Sequence, residues 1–288
     1  LTSITCILLI IAGVAFTLSQ LSVIKELPII GEKIMVISIR GGITSEECSR
    51  DLLGGSSKCT SVGEIRRKLE NAEGDGTVRA VILDINSGGG SVVASREMMR
   101  AVRGFRKPIV ARIGEVGASG AYYVASATDK IIADADSLTG SIGVVMTVQH
   151  YYGLYEKLGI NVTVIKAGES KDIGSPYREM TEEEKGELKE MIDKIYYDFV
   201  RDVSVNRNLS FSYVENISDG SIYLGSEARE LGLVDYLGGM DKAIEVASEL
   251  GGIRGTPSVK REETMRTLID IFPYMREYIL KLILDGGS

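Results

Sequence analysis

The 288 residues include one histidine and three cysteines, and each scarcity removes a class of chemistry. A Ser-His-Asp hydrolase needs an imidazole base and a zinc protease ordinarily needs two histidines. Either mechanism would have to rest on His150, which ends a strand-like run beside Tyr151 and Tyr152. A lone histidine is more often structural than catalytic, and His150 is read that way. Three cysteines do not make a disulfide framework. Cys6 lies in an apolar run, where it acts as a small hydrophobe. Cys48 and Cys59 flank a polar Gly/Ser-rich stretch and can pair where that region meets an oxidising compartment. Blocks of positive charge are also missing: the net charge is −7, without long single-sign runs, which argues against nucleic acid as a partner.

An apolar fraction of 44% is present, ordinary for a globular enzyme with a sizeable core. From Ile4 to Ile24 no residue is charged, roughly the length of a membrane-spanning helix and long for a cleaved signal peptide. The reading is a transmembrane anchor over residues 1–27. After Pro28 short β-branched runs alternate with amphipathic segments, the pattern of an α/β domain with a largely parallel sheet and flanking helices. Strands are expected at Lys33–Arg40, Val78–Ile85, Pro108–Ile113, Lys130–Ala133, Gly143–Val148 and Asn161–Ile165. Helices are expected at Ser61–Ala72, Val92–Arg103, Ser119–Ala127, Tyr151–Leu158, Thr181–Asn206, Ser226–Leu231 and Met240–Leu250. Thr181 followed by three glutamates is an N-cap with an acidic first turn. The domain is expected over residues 28–250. Residues 251–288 then comprise a linker, Gly251–Lys260, and an amphipathic helix, Thr264–Leu284, interrupted at Pro273.

Two glycine-rich turns carry chemistry. Gly117-Ala-Ser-Gly-Ala121 follows an apolar strand and opens a helix, the arrangement of a nucleophile elbow. Small neighbours let a substrate approach Ser119, and the helix N-terminus offers free N–H groups, Gly120's included, to an oxyanion. The same five residues equally describe a serine capping a helix. Asn86-Ser-Gly-Gly-Gly-Ser91 lies between another strand and helix. No Gly-Lys-Ser/Thr follows and no ribose-binding acid is evident, so a nucleotide loop is weakly supported; a glycine N–H here could instead complete an oxyanion hole. On one parallel sheet both turns open at the same edge. With His150 set aside, the base would be a lysine kept neutral by burial, and the spacing of residues does not say which.

The order and content of these blocks resemble the signal peptide peptidase A family, serine proteases with a ClpP/crotonase-like fold and a Ser-Lys dyad. Gly117-Ala-Ser-Gly-Ala-Tyr-Tyr-Val-Ala125, Asp129-Lys-Ile131 and Thr139-Gly-Ser-Ile-Gly-Val144 are similar to its nucleophile block, and Gly168-Glu-Ser-Lys-Asp-Ile-Gly-Ser-Pro176 with Arg178-Glu-Met-Thr181 to its lysine block. The resemblance implies Ser119 as nucleophile, Lys171 as general base and Ser141 as the serine that orients the lysine. It implies Gly89 and Gly120 as oxyanion-hole donors. Gly88 stands where the family usually has proline, which leaves Gly89 and Gly90 as alternatives in that loop.

A single-domain form of this family is expected to be a homo-oligomer in which Ser119 and Lys171 can come from different subunits. The expected partners are peptide substrates, such as signal-peptide remnants, and membrane lipid at the anchor; no cofactor and no metal are expected. The family implies a cell-membrane protein with its catalytic domain outside the cytoplasm, and sequons at Asn161, Asn208 and Asn216 are compatible with that. Alternative functions are a stomatin-cleaving membrane protease of the related group, whose lysine is expected nearer the serine, and a crotonase-like acyl-CoA enzyme sharing the fold and oxyanion hole.

Overall fold

The computed structural model describes residues 31–48 and 59–261. The apolar stretch Ile4–Ile24 and the tail segment Thr264–Leu284 lie outside these, and among the described residues no helix is long and apolar enough to cross a membrane.

The strands are β1 (Lys33–Arg40), β2 (Gly42–Thr44), β3 (Cys59–Ser61), β4 (Val78–Ser87), β5 (Ile109–Ala118), β6 (Lys130–Ala133), β7 (Leu138–Gly140), β8 (Ile222–Leu224), β9 (Tyr236–Leu237) and β10 (Ser258–Arg261). The main sheet runs β10-β1-β4-β5-β6-β9, with β7 added to β5 and β8 to β7. Every pair is parallel except β7–β8. A small parallel pair, β2–β3, lies beside it. Cys48 and Cys59 are joined by a disulfide with Cα atoms 5.9 Å apart.

Helices cover both faces, which is why β4 reads as a nearly continuous apolar run. Met35, Ile37, Leu83, Ile85, Ile113 and Ile131 point to one face. There they pack against α1 (Val62–Gly74), α2 (Val92–Arg103), α3 (Gly120–Ser126) and the C-terminal half of α5 (Glu182–Arg207). The alternate residues Ile34, Val36, Ile82, Val110 and Ile132 meet α8 (Met240–Leu250) through Ala243, Val246 and Ala247. Three short helices, α4 (Tyr152–Lys157), α6 (Phe211–Asn216) and α7 (Gly225–Glu230), complete the α-helices among the described residues. Where α8 stops, the second face turns polar: buried Asp84 is bridged by Arg40 and by Arg112 Nη1 at 3.0 Å, a pairing that a buried carboxylate requires.

Local chemistry starts the helices where the sequence places them. Ser61 Oγ accepts the Glu64 N–H at 3.2 Å at the head of α1. Thr181 and Glu184 form a complete capping box at the head of α5. The C-terminus of α5 is closed by Asn208 in the left-handed conformation at φ 54°.

The short strands β2, β3, β7, β8 and β9 lie where the sequence reading expected none, and three further segments differ from expectation. Gly143–Val148 and Asn161–Ile165 form no strand. Gly140 and Ser141, at φ 76° and 49°, turn the chain off the end of β7, and neither run pairs with a strand among the described residues. Val145 is 86% and Ile165 94% exposed, so β propensity here has nothing to pair with. Part of the expected linker Gly251–Lys260 is instead the edge strand β10, whose Ser258 lies opposite Lys33 and Arg261 opposite Val36. The exposed edge of β1 recruits it although its own residues alternate without an apolar face.

Leu83 is fully buried at the sheet centre. Leu83→Ala is expected to lower unfolding free energy by about 2–5 kcal/mol, read as a lower denaturant midpoint with an unchanged slope.

Candidate active site

The site forms where β4 and β5 end and their following helices begin. Ser119 links β5 to α3 at φ 52° and ψ −125°, a left-handed φ that an L-residue adopts only when its surroundings hold it there. Its N–H donates to Gly140 O of β7 at 2.8 Å, and its carbonyl accepts the Tyr123 N–H at 2.9 Å. Both backbone groups are thus engaged, and the hydroxyl is presented at the turn. Gly117 precedes it for a packing reason: a Cβ there would lie 2.8 Å from Ile113 Cγ2.

The second turn lies against the first. Gly89 has φ 98°, and a Cβ on it would lie 2.6 Å from Gly120 N and 3.1 Å from Ser119 Cβ. A Cβ on Gly90 would meet Ile43 O at 2.2 Å, and one on Gly120 would meet Ser95 Oγ at 2.2 Å. Glycine is therefore demanded at all three positions by close approach. The turn is clamped by β2, with Ile43 N–H donating to Gly89 O and Ser91 N–H to Ile43 O, each at 2.9 Å.

The N–H groups of the loop are unequal. Gly89 N–H donates to Ser87 Oγ at 3.1 Å, while that hydroxyl donates to Gly41 O at 2.6 Å. The N–H groups of Gly90 and Gly120 make no hydrogen bond with another described residue. Ser87 was not singled out from the sequence; its place two residues before Gly89 is the signal that could have found it.

A small cleft opens beside Ser119. Val92, Val144, Ile195 and Phe199 give it apolar walls, and Ser95, Arg96 and Tyr123 add polar groups. Ser95 Oγ is buried without a hydrogen-bond partner among the described residues. Arg96 pairs with Asp198 at 3.0 Å, and Tyr123 OH donates to Asp202. Burial, and then the Asp202 carboxylate, hold the Tyr123 phenol above its ordinary pKa.

Ser119, Gly120 and Gly89 thus meet at one point. Ser141 follows Gly140, the acceptor of the Ser119 N–H, and is half-buried at the end of β7 with φ 49° and its N–H on Ser221 O at 2.7 Å. Lys171 does not join them. It lies in a short 3-10 helix, Glu169–Asp172, exposed and outside the cavity lining. Its ammonium makes no ion pair or hydrogen bond with another described residue. His150 is also exposed and outside the lining, its ring edge-on to Tyr152 at 6.1 Å.

The glycine cradle is testable by crowding. Gly120→Ala is expected to destabilise the fold by about 1–3 kcal/mol through overpacking, and Ser95→Gly in the same chain is expected to recover part of that loss. Equal denaturant midpoints for the single and double variants would remove the close approach as the cause.

Residues 102–254 match the family described as peptidase family S49. A candidate protease of Methanocaldococcus jannaschii is 47% identical over 187 residues, which is 64% of this chain and 60% of that protein. Protease 4 of Haemophilus influenzae is 31% identical over 79% of this chain and 36% of its own length. Across the first three curated relatives the chain spans between 53% and 64% of their lengths. A solved structure of the serine-to-alanine mutant of 1510-N, a membrane-bound stomatin-specific protease, superposes with a TM-score of 0.53. It is 13% identical and covers 81% of this chain and 98% of its own, a likeness of fold. The matched segment contains Ser119, Ser141 and Lys171, and by that match over more than half its length the chain belongs to peptidase family S49.

Proposed function

We propose that this chain is a membrane-anchored serine endopeptidase that cleaves apolar peptides, signal-peptide remnants among them, with Ser119 as nucleophile and Lys171 as base. The observation that carries the reading is the Ser119 turn. A serine at a left-handed backbone position lines one cleft together with Gly90 and Gly120, whose N–H groups are unengaged among the described residues. Neutral Lys171 takes the hydroxyl proton as Ser119 Oγ bonds to the substrate carbonyl carbon. The oxyanion is held by Gly120 N–H and by an N–H of the Gly89–Gly90 turn. The lysine returns its proton to the leaving amine, and water releases the acyl group. Of the two loop donors Gly90 is the readier, because Gly89 N–H already has Ser87 Oγ as acceptor. Ser141 steers the lysine amine.

The lysine comes to the serine from a neighbouring copy in this reading. Support lies in the chain between Ser141 and Met180, which leaves Val145, Leu154, Ile165 and other apolar side chains exposed and carries Lys171 away from the cavity of its own subunit. A second copy covering these residues would bury the apolar surface and desolvate the amine, lowering its pKa toward that of a useful base. The anchor at Ile4–Ile24 would tether the assembly at the cell membrane with its active sites outside the cytoplasm, where the Cys48–Cys59 disulfide persists. The apolar walls Val92, Val144, Ile195 and Phe199 suit apolar substrate side chains.

Ser119→Ala and Lys171→Ala are each expected to abolish cleavage of a fluorogenic apolar peptide while leaving the thermal unfolding midpoint unchanged. Co-expressed in equal amounts, the two inactive variants are expected to regain about a quarter of wild-type activity, because random mixing in a closed ring pairs an intact serine with a neighbour's intact lysine at that frequency. Activity in either single variant would sink the dyad. No recovery on mixing would place both residues in one subunit.

A further inference from the structure

The short helix that carries Lys171 has little packing to hold it in place. Residues 156–171 are exposed without interruption, and Gly168 and Gly174, at φ 98° and 75°, turn the chain on either side of Glu169–Asp172. No apolar core fixes the direction in which Lys171 points. A hydrogen-bond network surrounds Asp172, the next residue, and most of that network belongs to one guanidinium.

Arg178 Nε donates to Asp172 Oδ2 at 2.9 Å, and Nη2 donates to Asp172 Oδ1 at 2.9 Å and to the Asp172 carbonyl at 3.3 Å. Nη1 donates to Glu184 Oε2 at 2.8 Å and to Glu179 O at 3.0 Å, and Nη2 also bonds Glu184 Oε1. Both carboxylates are therefore held by two nitrogens of the same planar group, a geometry that arginine supplies and lysine cannot. Asp172 is the residue after Lys171, and its carbonyl also accepts the Ser175 N–H at 2.9 Å. Glu184 belongs to the capping box of α5, with its Oε2 accepting the Thr181 N–H at 2.9 Å. The far half of α5 is rooted in the core through Phe199, Val200 and Val203. An unbroken path of hydrogen bonds and helix thus runs from the core to the residue beside Lys171.

We propose that Arg178 is a positioning residue for Lys171: by tying Asp172 to the first turn of α5, it fixes the direction in which the amine is offered to a serine. This inference rests on Lys171 being the base. The charges agree with a network held in one state. The Arg178 hydrogen bonds, followed by those of Lys166, keep the Asp172 carboxyl well below its ordinary pKa. Arg178, and then the Thr181 N–H, pull Glu184 down to about 2. The carboxylates therefore stay ionised, and the network intact, at every pH where a lysine base works. Asp172, Arg178 and Glu184 are half-buried, yet the segment they hold has no apolar core beneath it, so the consequence of the network is geometric.

The experiment compares the full chain with Arg178→Lys, Arg178→Ala, Asp172→Asn, the Arg178→Ala/Asp172→Asn double variant and Lys171→Ala. The measurements are kcat and KM on a fluorogenic peptide, the rate of Ser119 labelling by a fluorophosphonate, and the thermal midpoint. Both Arg178 variants are expected to lose about 10–100-fold in kcat and to lose labelling rate in parallel, with KM within about twofold and the midpoint held. Arg178→Lys should retain more activity than Arg178→Ala, and the double variant should lose no more than Arg178→Ala alone, because the two residues act as one unit. A kcat within about twofold of wild type in both Arg178 variants, beside an inactive Lys171→Ala, overturns the proposal and leaves the dyad standing. A loss that appears only as raised KM or a lowered midpoint also overturns it, as a merely structural role. Full activity in Lys171→Ala overturns the base assignment and this inference with it.

Discussion

The close approach of two backbone turns is the constraint on which the rest of the site depends. Gly89 lies so near Gly120 N that no side chain fits between them, and the approach leaves two N–H groups and the Ser119 hydroxyl around one point. Much of the nearby architecture holds this approach. The parallel β4 and β5 bring the turns to the same sheet edge. Ile43 clamps the Gly89–Ser91 segment by two backbone bonds, β3 pairs with β2, and the Cys48–Cys59 bridge ties the ends of the connection between them. The carbonyl of Gly140 fixes Ser119 from the other side. A left-handed serine is costly in isolation, and it persists because several partners leave it no other conformation.

The same chain that finishes one half of the site so completely leaves the other half open. From Ser141 onward the backbone departs from the sheet, and side chains suited to a buried strand stand in solvent. Composition like that in an otherwise well-packed domain is the usual mark of surface meant for contact. The Arg178 network bears on this directly: with no core beneath it, the Lys171 helix gets its geometry from charge-assisted hydrogen bonds. Such bonds give direction without needing buried area.

Most elements were legible from local pattern because local forces decide them. The β1, β6, α2 and α8 boundaries agree with those read from apolar periodicity, and the Thr181 start of α5 followed from its capping chemistry. The failures share a cause. Gly143–Val148 and Asn161–Ile165 have β-branched composition but no partner strand, and Ser258–Arg261 has a partner but no apolar face. Strand formation depends on an edge elsewhere in the molecule, and composition does not report whether that edge exists. In the same way the Gly-rich loop was recognisable as a candidate anion site, whereas the difference between Gly89 and Gly90 was not. That difference depends on where the Ser87 hydroxyl points.

By itself the sequence determined the α/β class, the candidate nucleophile and the scarcity of histidine from which the expectation of a lysine base arose. These are properties of residue type and short-range order, which are fixed before folding. Only the tertiary structure decided that Ser119, Gly89, Gly90 and Gly120 converge, and that Lys171 stands apart from them on a helix tethered by Arg178. Those are facts of separation between segments distant in sequence, and they are set by which strand ends share a sheet edge and which segments the core leaves uncovered.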